Sequence, residues 1–193
     1  MGVRGLAGRT GRGARRATAA LGVAALLGGG AVAAAPVAGA AGCATPWGSL
    51  AERAPATTTG TVRGLRAGQH PCFDRLVVDV RGRVTGYAVR YVDQVRADGS
   101  GQVVPLRGRA RLEVVVQAAG YDGQGRPTYA PARPSEAVGV GGYATFRQVA
   151  WVGSFEGQSQ VGLGVRARLP FRVLVLPPVS GTSRLVVDVA HSW

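Results

Sequence analysis

The segment Arg75-Leu76-Val77-Val78-Asp79-Val80 recurs letter for letter as Arg184-Leu185-Val186-Val187-Asp188-Val189. In each copy, alternation puts Leu, Val and Val on one face of an extended chain and Arg, Val and Asp on the other, as in a half-buried strand. The copies start 109 residues apart, far beyond a solenoid period, so they are expected as a pseudo-symmetric pair of strands in one domain. Within one strand Arg and Asp are about 13 Å apart, too far to pair. Antiparallel neighbours would instead set Arg75 against Asp188 and Arg184 against Asp79, as cross-strand pairs worth about 0–1 kcal/mol each if partly exposed. Equivalent positions in facing sheets are the other arrangement that the symmetry allows. A minor alternative makes Arg75 or Arg184 a ligand for a carboxylate or phosphate.

Between the copies the chain reads as strand after strand. Alternation marks 61–65 weakly, and 75–80, 86–92, 111–117, 145–152, 161–167, 171–176 and 184–189 more firmly. Asp98-Gly99-Ser100-Gly101, Gly139-Val140-Gly141-Gly142 and Pro177-Pro178 followed by Ser180-Gly181 supply turns. Seven or eight short strands so punctuated predict an all-β, two-sheet β-sandwich. Leu76, Val78, Leu112, Val114, Leu163, Val165, Leu185 and Val187 are its expected core. No stretch supports a long amphipathic helix, though 135–138 could form one turn.

The first 42 residues read as a cleaved signal peptide. Five arginines and no acidic residue precede an apolar run, 19–38, which ends in small residues before Cys43. A membrane anchor is the alternative, weakened by three consecutive glycines and Pro36, and Arg15-Arg16 leaves the twin-arginine route open. Residues 43–60 read as an extended lead-in, with Trp47 and Leu50 packing onto the domain, and 61–193 as the domain itself. Cys43 and Cys72 are the only cysteines. In an exported chain they favour one disulfide, closing a loop of about 30 residues that stabilises by roughly 3 kcal/mol. The rival reading makes Cys43 a lipid-modified first residue. A membrane is a partner only if Cys43 is lipidated or the leader stays uncleaved.

Without the leader the chain carries 18 arginines, no lysine and 10 acidic residues, a net charge of about +8. Such a surface attracts anionic polymers, which outside a cell are wall polymers and lipid headgroups. Nucleic acid is a poor candidate, because the arginines are spread one per strand or turn.

Catalysis has little support. His70 and His191 are the only histidines, and neither lies near a nucleophile elbow. Gly153-Ser154-Phe155-Glu156-Gly157 lacks the elbow's second glycine and reads as a turn between strands. No metal or cofactor site is expected, since zinc would need three or four convergent ligands. Gly162 and Gly164 lie in a strand pattern, where glycine marks a bulge or close approach. The long non-strand segment 121–143 contains three tyrosines, which argues for a loop clamped over an open end of the sandwich, or for a ligand-contacting lip.

The run Cys72-Phe73-Asp74-Arg75-Leu76-Val77-Val78-Asp79-Val80, then Gly86-Tyr87-Ala88-Val89-Arg90-Tyr91-Val92, Phe146-Arg147-Gln148-Val149-Ala150, Pro170-Phe171-Arg172-Val173 and the closing repeat resembles the AMIN-like domain of actinobacterial exported proteins and lipoproteins. It is similar, more distantly, to the AMIN domain that targets amidases and secretins to the cell wall. The resemblance covers about 43–193. It implies a β-sandwich and a non-catalytic role in binding peptidoglycan or an envelope partner; an amidase domain, the usual cargo of such a module, is not expected after Trp193. As a wall-binding module, Arg90, Arg126, Arg147 and Arg166 would meet anionic groups while Tyr91, Tyr121, Tyr129 and Trp151 stack on sugar faces. As an adaptor, a sheet face would dock another envelope protein.

Overall fold

The computed structural model describes residue 43, residues 45–55 and residues 60–193; the expected leader, with its anchor and twin-arginine alternatives, lies outside them. Along the described chain run β1 (Glu52–Ala54), β2 (Gly60–Gln69), β3 (Phe73–Arg81), β4 (Tyr87–Val92), β5 (Val95–Arg96), β6 (Val103–Val104), β7 (Ala110–Val116), β8 (Ala118–Ala119), β9 (Phe146–Phe155), β10 (Gln158–Val165), β11 (Phe171–Val179) and β12 (Thr182–Ala190). A single 3-10 turn spans Pro134–Glu136. The eight strands of six residues or more fall on the eight alternating segments. The short ones, of two or three residues, offer periodicity nothing to read. One of them, β1, makes part of the lead-in a sheet edge.

One sheet has the order β1-β4-β7-β10-β9 and the other β11-β12-β3-β2-β8, while β5 and β6 form a separate ribbon. Leu112, Val114, Leu163 and Val165 from the first sheet meet Leu76, Val78, Leu185 and Val187 from the second in one core, and all eight are fully buried. The chain is thus an all-β, two-sheet sandwich. Two of its hairpins turn on residue pairs with positive φ, Glu156-Gly157 and Ser180-Gly181, the backbone that matches the twist of antiparallel strands. The turn read at Gly153–Gly157 therefore begins at Glu156, after β9 has run on through Ser154 and Phe155.

The duplicated segments are neighbours. β3 and β12 pair antiparallel, with Arg75 opposite Asp188 and Arg184 opposite Asp79. The first pairing is made: Arg75 donates from Nε to Asp188 Oδ1 at 2.6 Å and from Nη2 to Oδ2 at 2.8 Å. Arg172 on β11 reaches Oδ2 from the other side at 2.8 Å. The second is replaced. Asp79 takes Arg66 from β2, through Nε at 2.7 Å and Nη2 at 2.8 Å, and among the described residues Arg184 enters no ion pair. The difference lies across the strand: Gly64, with no side chain to pair, stands opposite Asp79, and Arg66, two residues further along β2, supplies the fork. The first pairing is exposed on one side only: the Arg75 side chain reaches solvent in part, while Asp188 is wholly buried. The guanidinium of Arg172 lies 4.3 Å from the centre of the Trp47 ring, and that of Arg75 lies 5.2 Å from the Phe73 ring.

Both lateral openings of the sandwich are strapped. On one side the Cys43–Cys72 disulfide, with Cα atoms 5.2 Å apart, pins the lead-in; its sulfur is thereby unavailable for a lipid thioether. Beyond it, Phe171 N–H donates to Gly48 C=O at 2.8 Å and Val173 N–H to Glu52 Oε2 at 3.3 Å. Trp47 packs as expected, but Leu50 is 80 % exposed, at the bend where the strap turns into β1. On the other side, the segment after β8 crosses from one sheet to the other. Thr128 Oγ1 donates to Val62 C=O of β2 at 2.8 Å, and Ala137 N–H to Val149 C=O of β9 at 2.8 Å.

Asp74 closes one end. Fully buried, it accepts N–H bonds from Thr145 at 2.6 Å and Phe146 at 2.8 Å, and lies 2.9 Å from His191 Nε2. A buried carboxylate so fully satisfied ties three segments together.

Candidate functional site

The second strap builds a cleft. Trp151 lies on β9 at the edge of its sheet, and its indole rests against Gly120, where a Cβ would sit 2.8 Å from the ring. Tyr129 meets it edge-on, with ring centres 4.9 Å apart and planes at 85°, an arrangement favoured by the ring quadrupoles. Tyr121 is fixed by a small hairpin that bridges to Pro127, and its hydroxyl accepts the Gly157 N–H at 3.0 Å. Asp122 holds that hairpin: one oxygen accepts the N–H groups of Gln124 and Arg126 at 2.9 and 3.0 Å, and the other takes Arg126 Nε at 2.8 Å. Pairing with Arg126, aided by those N–H groups, holds the Asp122 carboxyl below its ordinary value. The cleft has a volume of about 340 Å3, with Tyr121, Tyr129, Trp151 and the rings of Pro127, Pro131 and Pro134 along its walls. Burial pushes the Tyr129 hydroxyl up, so the ring presents a neutral phenol.

Three of the four aromatic residues singled out in the sequence, Tyr121, Tyr129 and Trp151, thus come together. The fourth does not join them. Tyr91 sits on β4, donates to Leu169 C=O at 2.8 Å and accepts its N–H at 3.0 Å, and packs edge-on against Phe171. Burial raises its pKa against the opposing pull of Leu169 and Arg168.

The four arginines are dispersed, and each is engaged. Arg90 pairs with Glu113 at 2.7 Å, and Glu113 also accepts Gln160 Nε2 at 2.8 Å. Arg126 pairs with Asp122. Arg147 donates to the carbonyls of Tyr143, Ala144 and Phe146, and Arg166 to that of His191. Arg90 bridges two neighbouring strands, and the other three hold loops or the C-terminal segment, a use of arginine that residue type alone does not reveal.

A second concavity, of about 580 Å3, lies where β4 ends and β7 begins, with Tyr91, Asp93, Arg109, Arg111 and Arg168 in its lining. Sequence reasoning passed over these three arginines. The available signal was the close spacing of Arg109 and Arg111 at the entry to β7. Among the described residues no three His, Cys, Asp or Glu side chains are placed to hold a metal ion, and no helix is long and apolar enough to cross a membrane.

The described chain is a disulfide-pinned β-sandwich with an aromatic cleft at one strapped edge. The chain belongs to the AMIN-like domain family, whose profile matches residues 60–191. That membership points to a cell-wall-related binding or targeting module and to association with the cell envelope, and the disulfide is consistent with an extracytoplasmic setting. No curated protein matches the chain.

Proposed function

We propose that this protein is a non-catalytic, exported cell-envelope module that binds peptidoglycan or its attached anionic polymers, with sugar rings held in the Tyr121–Tyr129–Trp151 cleft. The observation that carries the reading is the convergence of those three rings, from two separated segments, in a cleft walled by prolines. Aromatic faces complement the apolar C–H faces of sugars, and rigid rings lose little entropy on binding. The net positive charge adds long-range attraction to an anionic wall. The test is sedimentation with purified insoluble peptidoglycan, with and without its attached anionic polymers, across a salt series. Binding that survives salt beyond the screening range of roughly 0.15 M and is lost in Trp151→Ala supports the reading. Binding that moderate salt abolishes in both proteins reduces it to charge attraction.

An adaptor role, docking another envelope protein through a sheet face, has one observation in its favour. Val175 and Val179 on β11 are 41 % and 62 % exposed at the edge of their sheet. Pro177 and Pro178 on the same strand have no N–H to offer an added strand, so such docking would proceed through side chains.

A further inference from the structure

The second cleft gathers three arginines, none of them paired with a carboxylate among the described residues. Arg66, Arg75, Arg90, Arg107, Arg126 and Arg172 all face a carboxylate. Arg109 and Arg111, among the described residues, have no side-chain hydrogen bond or ion pair. They stand two apart in the chain, Arg109 in the bend that leads into β7 and Arg111 as the second residue of that strand. Arg168 enters the same cleft from the turn after β10 and is already positioned: Nε lies 3.2 Å from Ser49 Oγ, Nη2 donates to Ser49 C=O at 3.0 Å, and the group lies 5.1 Å from the centre of the Tyr91 ring. Tyr91 is in turn clamped by both backbone groups of Leu169. Asp93 is the one acidic residue in the lining, and no ion pair engages it. Three guanidinium groups against one carboxylate leave a local excess of positive charge, which attracts anions.

We propose that this cleft is a phosphate-binding site, independent of the aromatic cleft. Phosphate is favoured over carboxylate by donor count. A carboxylate offers only two oxygens and engages two arginines in this protein, as Asp188 does with Arg75 and Arg172, whereas a phosphate group presents more oxygens and can accept from three guanidinium groups arriving from several directions. Arg168, fixed by stacking and by Ser49, supplies a preorganised donor, and Arg109 and Arg111 complete the set from the entry to β7.

The test follows the arginine side-chain Nε–Hε resonances by NMR while inorganic phosphate replaces chloride at constant ionic strength. Saturable shifts are expected at Arg109, Arg111 and Arg168 and not at exposed Arg83 or Arg133. Arg109→Gln/Arg111→Gln should weaken the response by at least about tenfold, and Asp93→Asn should strengthen it. Trp151→Ala should leave it unchanged, so loss of the sugar-binding reading and loss of this one are separable. Uniform shifts across all exposed arginines, or acetate titrating as strongly as phosphate, would overturn the proposal. A soluble poly(glycerol phosphate) and phosphatidylglycerol vesicles, each competed against inorganic phosphate, separate a polymer from a lipid headgroup as its source. Competition by neither overturns it as well.

Discussion

Arg75 and Asp188 face each other across neighbouring strands, joined by a two-pronged contact whose carboxylate is entirely removed from solvent while the Arg75 side chain remains 27 % exposed. Arg172 satisfies the same carboxylate from the opposite strand. Removing Arg75 or Arg172 leaves one partner in place, whereas removing the carboxylate leaves two guanidinium groups facing each other over aromatic rings. Asp188→Ala should therefore destabilise by about 3–5 kcal/mol, the range for breaking a buried pair. Arg184→Ala, on the same strand, should cost no more than about 0.5 kcal/mol. Urea denaturation of both variants checks the contrast, and equal costs would contradict it.

Gly164 is a second sensitive point. A Cβ there would lie 2.0 Å from the backbone oxygen of Arg107, which crosses the outer face of β10, and one at Gly162 would lie 2.9 Å from Leu106. Backbone cannot swing aside as a flexible side chain does. Gly164→Ala should therefore cost at least about 2 kcal/mol, while Gly123→Ala, with nothing within 4 Å, should stay within about 0.5 kcal/mol. Thermal denaturation of the pair measures the difference.

The disulfide closes a loop with a sequence separation of 29, and its reduction should lower stability by roughly 3 kcal/mol. It also ties the first strap, so Trp47 should lose its place over Arg172 and its fluorescence should shift toward that of exposed indole. Intact mass before and after reduction should differ only by the added hydrogens. A mass increment of a diacylglycerol on Cys43 would contradict the bond.

Two glutamates should act on the acid limb in opposite senses. Burial pushes Glu52 above its ordinary 4.5, with only partial opposition from the Val173 N–H. A raised folded value means that the folded chain binds the proton more tightly, so this group favours folding below 4.5 and opposes it once pH passes the folded value. Arg107 holds Glu136 below 4.5. Its contribution is present above the unfolded value and lost as pH falls through the folded one. At neutral pH, Glu52→Gln should raise the urea midpoint and Glu136→Gln should lower it, and both differences should vanish in strong acid. A midpoint series against pH reads the two signs.

The alternation in residues 75–80 and 184–189 determined, without any structure, that these were half-buried strands. The Arg/Asp spacing favoured antiparallel neighbours, because parallel neighbours in register would set Arg against Arg, but it left equivalent positions in facing sheets open, and the sheet order decided for adjacency. The same periodicity marked all eight long strands and the core. Its reach ended where a residue's partner came from a third strand or a distant loop. Nothing local distinguishes Asp79 from Asp188, yet one takes Arg66 and the other Arg75 and Arg172, because the strands flanking the pair differ: Gly64 on one side and Arg172 on the other. Likewise, Tyr121, Tyr129 and Trp151 were identifiable as aromatic residues in or near a long loop, but only the strap from β8 to β9 brought them into one cleft, and partners elsewhere in the fold engaged Arg90 and Arg166. Arg109, Arg111 and Arg168 read as ordinary surface arginines in the chain. Their shared cleft exists only because the end of β4, the start of β7 and the turn after β10 meet at one corner of the sandwich, a consequence of sheet order that hydrophobic periodicity does not encode.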